Sequence, residues 1–96
     1  MKYKLLISKV SVYETLNAYD YYEAQSTRLG ERFLASVKEA QNKLAKTPYN
    51  YDFINDRNDF RDISLKSFPF VIIYQIIDNN VLVLRVFNTN RNPLSV

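Results

Sequence analysis

Residues 70–77 (Phe-Val-Ile-Ile-Tyr-Gln-Ile-Ile) and 81–87 (Val-Leu-Val-Leu-Arg-Val-Phe) are apolar at both odd and even positions, so a sheet built from them has two sticky faces. Asp78-Asn79-Asn80 between the runs is polar and turn-prone, which predicts an antiparallel hairpin. An antiparallel sheet ordinarily solvates one face, with polar residues alternating along it. Here the second face needs a cover. The rest of the chain offers two good helical patterns, enough to blanket one side of a small sheet and leave the other to a groove, a dimer mate or a dedicated partner.

Ninety-six residues, 47% of them hydrophobic, make one domain over residues 1–96 with no room for a separate catalytic module. The sequence has neither cysteine nor histidine. That removes disulfides, thiolate nucleophiles, the usual zinc ligands and the one side chain that titrates unaided near neutrality. No cofactor or metal site is expected. Met1-Lys2-Tyr3-Lys4 is followed by no long apolar run, and no stretch approaches the roughly 20 residues of a membrane span. A cytoplasmic protein without membrane contact is therefore expected. The net charge of +3 is modest; from residue 64 onward Lys66, Arg85 and Arg91 stand against Asp78 alone. This weak basic bias suits nucleic acid, an acidic protein or an ordinary solvated rim.

Residues 2–7 read as a first strand near a sheet edge, given Lys2 and Lys4. Ser11-x-x-Glu14 fits a capping box and predicts a helix start, with Val12, Leu16, Tyr19 and Tyr22 facing the sheet. Gln25-Ser26-Thr27 ends that helix, and Gly30 opens the next, so the two form a helical hairpin. Leu29, Phe33, Val37, Ala40 and Leu44 mark the buried stripe of the second helix, which Thr47-Pro48 terminates. In the connection over 49–59, Tyr49, Tyr51 and Phe53 are candidates to pin it to the body. Residues 60–65 return as a strand with Arg61, Ile63 and Leu65 on one side. The expected fold is α+β: an N-terminal strand and helical hairpin packed on one face of a three- to four-stranded antiparallel sheet.

The element order, together with Ala18-Tyr19-Asp20-Tyr21-Tyr22, Leu29-Gly30-Glu31-Arg32-Phe33-Leu34, Pro48-Tyr49, Arg61, Lys66-Ser67-Phe68-Pro69-Phe70, Tyr74 and the run from Val86 to Pro93, resembles the RelE/ParE superfamily of type II toxin–antitoxin toxins. The likeness is greatest to its ParE, plasmid-stabilisation branch. It implies a toxin that inhibits DNA gyrase by binding and is held inactive by a cognate antitoxin. The alternatives are a RelE-like ribosome-dependent mRNA endoribonuclease, whose partners are ribosome and message, and an inactive member that only binds protein; a homodimer stays open.

The resemblance and the basic bias nominate Arg61, Lys66, Tyr74, Arg85, Phe87 and Arg91 as target- or antitoxin-binding residues. A nuclease would draw on Arg61, Lys66, Arg85 and Arg91, yet RNA cleavage through the 2′-hydroxyl also needs a base and an acid. Tyrosine and lysine ionise near pKa 10 and would need a shift of about three units, roughly 4 kcal/mol, to serve as a base. The segment Asn88 to Val96 holds no titrating group except Arg91, where the nuclease branch often has histidine or tyrosine. Arginine clamps anions but does not shuttle protons. Arg85, in an apolar strand and expected to share a face with Val81, Val83 and Phe87, must have a partner: an acidic group of target or antitoxin, or an internal acid such as Asp62. Phe68, Phe70 and Tyr74 also fit as core-filling rings. The competing expectation for the second sheet face is that residues 49–59 and the C-terminal tail fold over it.

Overall fold

The computed structural model describes residues 3–54 and 59–90. Strand β1 (Lys4–Ile7) leads into helices α1 (Lys9–Gln25) and α2 (Leu29–Lys46), a 3₁₀ turn at Pro48–Asn50, and strands β2 (Arg61–Ser64), β3 (Phe70–Ile77) and β4 (Asn80–Asn88). The sheet order is β1-β4-β3-β2. Both pairings within β2-β3-β4 are antiparallel, but β1 runs parallel to β4, so the sheet is mixed rather than wholly antiparallel. The reason is topological: β1 reaches β4 only through the helical hairpin and two further strands, and a long crossover permits parallel pairing. β1 lies at the edge, as its lysines suggested.

One face is sealed by the helices. Phe33, Val37, Ala40 and Leu44 of α2 and Ala18 of α1 pack with Phe70, Ile72 and Tyr74 of β3 and Val81, Val83 and Val86 of β4. Tyr22, Phe33, Phe68 and Phe70 form an aromatic nest with ring centroids 5.0–6.2 Å apart, in mostly edge-to-face geometry. The period-4/3 stripe of α2 is therefore the core face that its spacing predicted.

Helix α1 departs from its expected start. Its N-cap is Ser8, whose Oγ accepts from the Ser11 N–H at 3.0 Å, while the Ser11 hydroxyl is buried and donates to the Ser8 carbonyl. Ser11 and Ala18 take the buried face, with Tyr22 packed beside them, whereas Val12 and Leu16 are exposed. A second cap equally outside the motif joins the hairpin. Arg28 precedes α2 with φ 71° and gives no side-chain cap, and the Glu23 carboxylate of α1 accepts from Arg28 N–H at 3.1 Å and Gly30 N–H at 3.0 Å instead. Two orphan donors of the α2 N-terminus are satisfied by the neighbouring helix.

The β3–β4 loop is Asp78-Asn79, one residue shorter than expected, with Asn80 paired to Ile77. Asp78 has φ 56°. A bulge lies farther along: Tyr74 pairs Val83 but Ile73 pairs Arg85, which leaves Leu84 as the extra residue. Because side chains alternate with period two, one inserted residue swaps the faces beyond it. Val81, Val83 and Val86 are accordingly the core residues, and Arg85 does not share the face of Val81 and Val83 as the simple alternation predicted. The opposite face, with Val71, Ile73, Leu82, Leu84 and Phe87, is only half-buried. Of the segments expected to fold over this face, residues 55–58 and the tail beyond residue 90 lie outside the described residues; in the rest of the connection Tyr51 packs on the core, Tyr49 and Phe53 stay exposed, and residues 52–54 run antiparallel to 60–62, with Ile54 N–H donating to the Phe60 carbonyl at 2.9 Å.

Candidate functional site

Arg85 stands on the half-open face beside an almost wholly apolar cleft of about 340 Å³ lined by Ile54, Phe60, Ile73 and Leu84. Its guanidinium lies 5.5 Å from the Phe87 ring centroid. Its acid is Glu14, not Asp62. Arg85 Nε and Nη2 both donate to Glu14 Oε2, the first at 2.8 Å, and Glu14 Oε1 accepts from the Val86 N–H at 2.9 Å. The strand edge explains why Glu14 is needed there. β1 stops at Ile7, opposite Val83, so β4 loses its outer neighbour just before the bulge. Ser8 takes over, donating its N–H to the Val83 carbonyl and its hydroxyl to the Leu84 carbonyl, and Glu14 then closes the Val86 N–H. The Ser8 cap and the Glu14 side chain of α1 replace the missing strand. Hydrogen bonding to the Glu14 carboxylate holds the Arg85 ionisation above the ordinary arginine range, against the opposing effect of burial.

Arg61 lies elsewhere. It pairs with Tyr74 on the helix-facing side of β2, where Nη1 donates to the carbonyls of Tyr51 and Tyr49. The guanidinium sits 3.9 Å from the Phe53 ring centroid and 5.3 Å from that of Tyr49. This stacking of a weakly hydrated cation on ring faces ties the 49–54 segment to the sheet. Lys66 is exposed in the turn beyond the other end of β2, in a shallow cleft with Arg32 and Glu39, and its carbonyl accepts from the buried Ser36 hydroxyl at 2.8 Å. Arg91 lies outside the described residues.

Tyr74 takes the core-filling place expected of its ring and not the binding role for which it was also nominated. It is fully buried, and its hydroxyl donates to the Pro48 carbonyl at 2.6 Å, so it presents no surface to a partner. Burial raises its hydroxyl well above the ordinary tyrosine value, with Arg61 partly opposing, which removes it as a base. The Asp62 carboxyl, in the same cross-strand row as Ile73 and Arg85, is raised by burial and by the neighbouring Asp52 carboxylate. The structure thus keeps Arg85 and Phe87 together and separates both from Arg61 and from Lys66. Among the described residues no cluster of three or more acidic, histidine or cysteine side chains is placed to hold a metal ion, and no helix is long and apolar enough to cross a membrane. Sequence reasoning missed Glu14 and Glu23 as structural ligands. A charged residue in an apolar strand signalled that an acid was required, but nothing local chose a glutamate 71 residues away.

The profile of the family described as the ParE toxin of type II toxin–antitoxin system, parDE, matches residues 10–93. No curated protein sequence matches the chain. Among solved structures, the chain is similar to one from a chromosomal ParDE toxin–antitoxin system of P. aeruginosa, with TM-score 0.73 and 15% identity over 91% of this chain and 96% of that one. It is also similar to a chain of the RelBE2 toxin–antitoxin complex of Mycobacterium tuberculosis, with TM-score 0.61 and 15% identity over 92% and 99% of the two chains. The isolated E. coli RelE toxin matches with TM-score 0.59 and 19% identity over 97% of this chain and 90% of that one.

Proposed function

The chain belongs to the ParE family, the toxins of type II toxin–antitoxin systems, and from that premise we propose that this toxin acts in the cytoplasm on DNA gyrase, by binding it rather than by cutting nucleic acid. The observation that carries the reading is the dispersal of the candidate cations among the described residues. Arg61 is held by backbone carbonyls on the helix-facing side, Arg85 by Glu14 on the open face, and Lys66 lies in a turn beyond the far end of β2. A phosphoryl-transfer site needs charge stabilisers converging on one phosphate, with an acid and a base at hand. Tyr74, the tyrosine paired with Arg61 across β2 and β3, is sealed in the core. A binding inhibitor needs none of this chemistry.

A cognate antitoxin is the partner that completes the half-open sheet face. A stable protein interface removes roughly 1,200–2,000 Å² from water, enough to cover such a face. The second reading, ribosome-dependent mRNA cleavage, rests on the fold shared with E. coli RelE.

The deciding experiment sets purified toxin in a gyrase supercoiling assay beside an mRNA cleavage assay with programmed ribosomes. Loss of supercoiling with intact message supports the proposal. Message cut within codons, abolished by Arg61→Ala or Arg85→Ala, overturns it. Size-exclusion chromatography of the same preparation reads whether the free toxin is a homodimer.

A further inference from the structure

We propose that the outward edge of the Arg85 guanidinium and the apolar cleft beside it form one docking site for a protein segment that pairs a carboxylate with a large aliphatic side chain; the inference rests on the antitoxin reading above. An arginine carries five N–H donors arranged in a planar fork. Nε–H and one Nη2 proton are taken by Glu14 Oε2. The other three, on Nη1 and Nη2, have no partner among the described residues, and the side chain is 46% exposed. That free edge matches a second carboxylate in bidentate geometry.

The donor is also aimed. Val86 N–H fixes Glu14 Oε1, Glu14 Oε2 fixes the inner edge of the guanidinium, and Arg85 so held lines the cleft. Glu14 is therefore a positioning residue. An arginine held in place loses less side-chain freedom on binding than a free one.

The cleft sets the rest of the recognition. Ile54, Phe60, Ile73 and Leu84 offer a surface that rewards a buried aliphatic group and nothing polar. Asp62 lies on β2 beside Ile73, on the side away from Arg85, so a carboxylate is attracted at one end of the row and repelled at the other. Charge complementarity thus selects an acidic segment and fixes its direction across the strands. Among the described residues a nucleic acid backbone would find Arg85, an oily wall and a carboxylate, which is a poor match for a chain of phosphates.

The test uses ¹⁵N-labelled full-length toxin and three probes: N-acetyl-Leu-Glu-amide, N-acetyl-Leu-Lys-amide and a short single-stranded oligodeoxynucleotide. The Leu-Glu probe is expected to shift the amides of Ile73, Leu84, Arg85 and Val86 saturably, and the Leu-Lys probe to bind them about tenfold more weakly, a difference of roughly 1.4 kcal/mol. Arg85→Lys should remove most of that preference, since lysine has no second edge to offer. Absent or non-saturable shifts with Leu-Glu, equal binding of the two peptides, or stronger shifts of these amides by the oligonucleotide each overturn the proposal. The peptide comparison is made on the unsubstituted protein, so a misfolded variant does not blur it. The antitoxin reading is tested separately, by co-purification of the toxin with its co-expressed antitoxin, so failure here and failure of that reading are told apart.

Discussion

Glu14 in α1 and Arg85 in β4, 71 residues apart in sequence, share one carboxylate, whose second oxygen accepts the Val86 N–H at the point where β4 has lost its outer strand. The ion pair itself is half in solvent and adds little. The backbone donor matters more. Glu14→Ala should lower stability by about 1–2 kcal/mol, chiefly by leaving the Val86 N–H without an acceptor. Arg85→Ala should cost less than Glu14→Ala. Urea denaturation of the two variants reads the order, and the reverse order would mean that the ion pair outweighs the edge closure.

Tyr74→Phe leaves the ring in the core but strands the Pro48 carbonyl, which loses its 2.6 Å donor. The expected cost is about 1–3 kcal/mol in chemical denaturation. Inhibition of the target per folded molecule should stay unchanged, because the hydroxyl never reaches the surface. A variant of full stability with lost inhibition would return Tyr74 to the binding site.

Gly30 is where the two helices touch. A Cβ there would lie 2.8 Å from both Cδ1 and the carbonyl oxygen of Tyr19. Gly30→Ala gains about 1 kcal/mol of helix propensity, but an overpacked contact typically costs about 1–3 kcal/mol. The net effect should be a lower melting temperature by circular dichroism. Adding Tyr19→Ala should not restore it, since the obstructing oxygen belongs to the backbone.

Asp62 has its carboxyl raised by burial and by Asp52. A group whose folded pKa exceeds its unfolded value supports folding below the unfolded pKa, and that support is lost as pH rises through the folded pKa. Asp62→Asn should therefore raise the melting temperature at neutral pH, and the gain should vanish below the ordinary aspartate value of 3.8. Melting curves across that range check the sign; a variant less stable at neutral pH would show that the charged carboxylate is held by the fold.

The α2 stripe, the stop at Thr47-Pro48, the β3–β4 hairpin and the edge position of β1 were legible because each rests on local periodicity, turn chemistry or the charge of a few neighbours. The cap at Ser8 was not. Ser8 and Ser11 are both competent caps, and the choice went to Ser8 because its hydroxyl and N–H also serve the Val83 and Leu84 carbonyls. The α1 face failed for a related reason. With Ser11 turned inward against the sheet, the small residues Ser11 and Ala18 are buried, and the larger Val12 and Leu16 are left outside.

The candidate residues divide along the same line. Arg85 announced itself, since a charge within an apolar strand requires a partner. Which acid answers, and which face the arginine takes, depend on one extra residue at Leu84 and on where α1 crosses the end of β1. By itself the sequence determined an α+β chain whose central strands are apolar on both faces, because alternation and turn propensity act over a few residues. Only the tertiary structure decided the parallel placement of β1, the burial of Tyr74, the separation of Arg61 from Arg85 and the claim of Glu14 on the β4 edge. Those outcomes depend on registers and crossings between distant segments, where a shift of a single residue exchanges one face for the other.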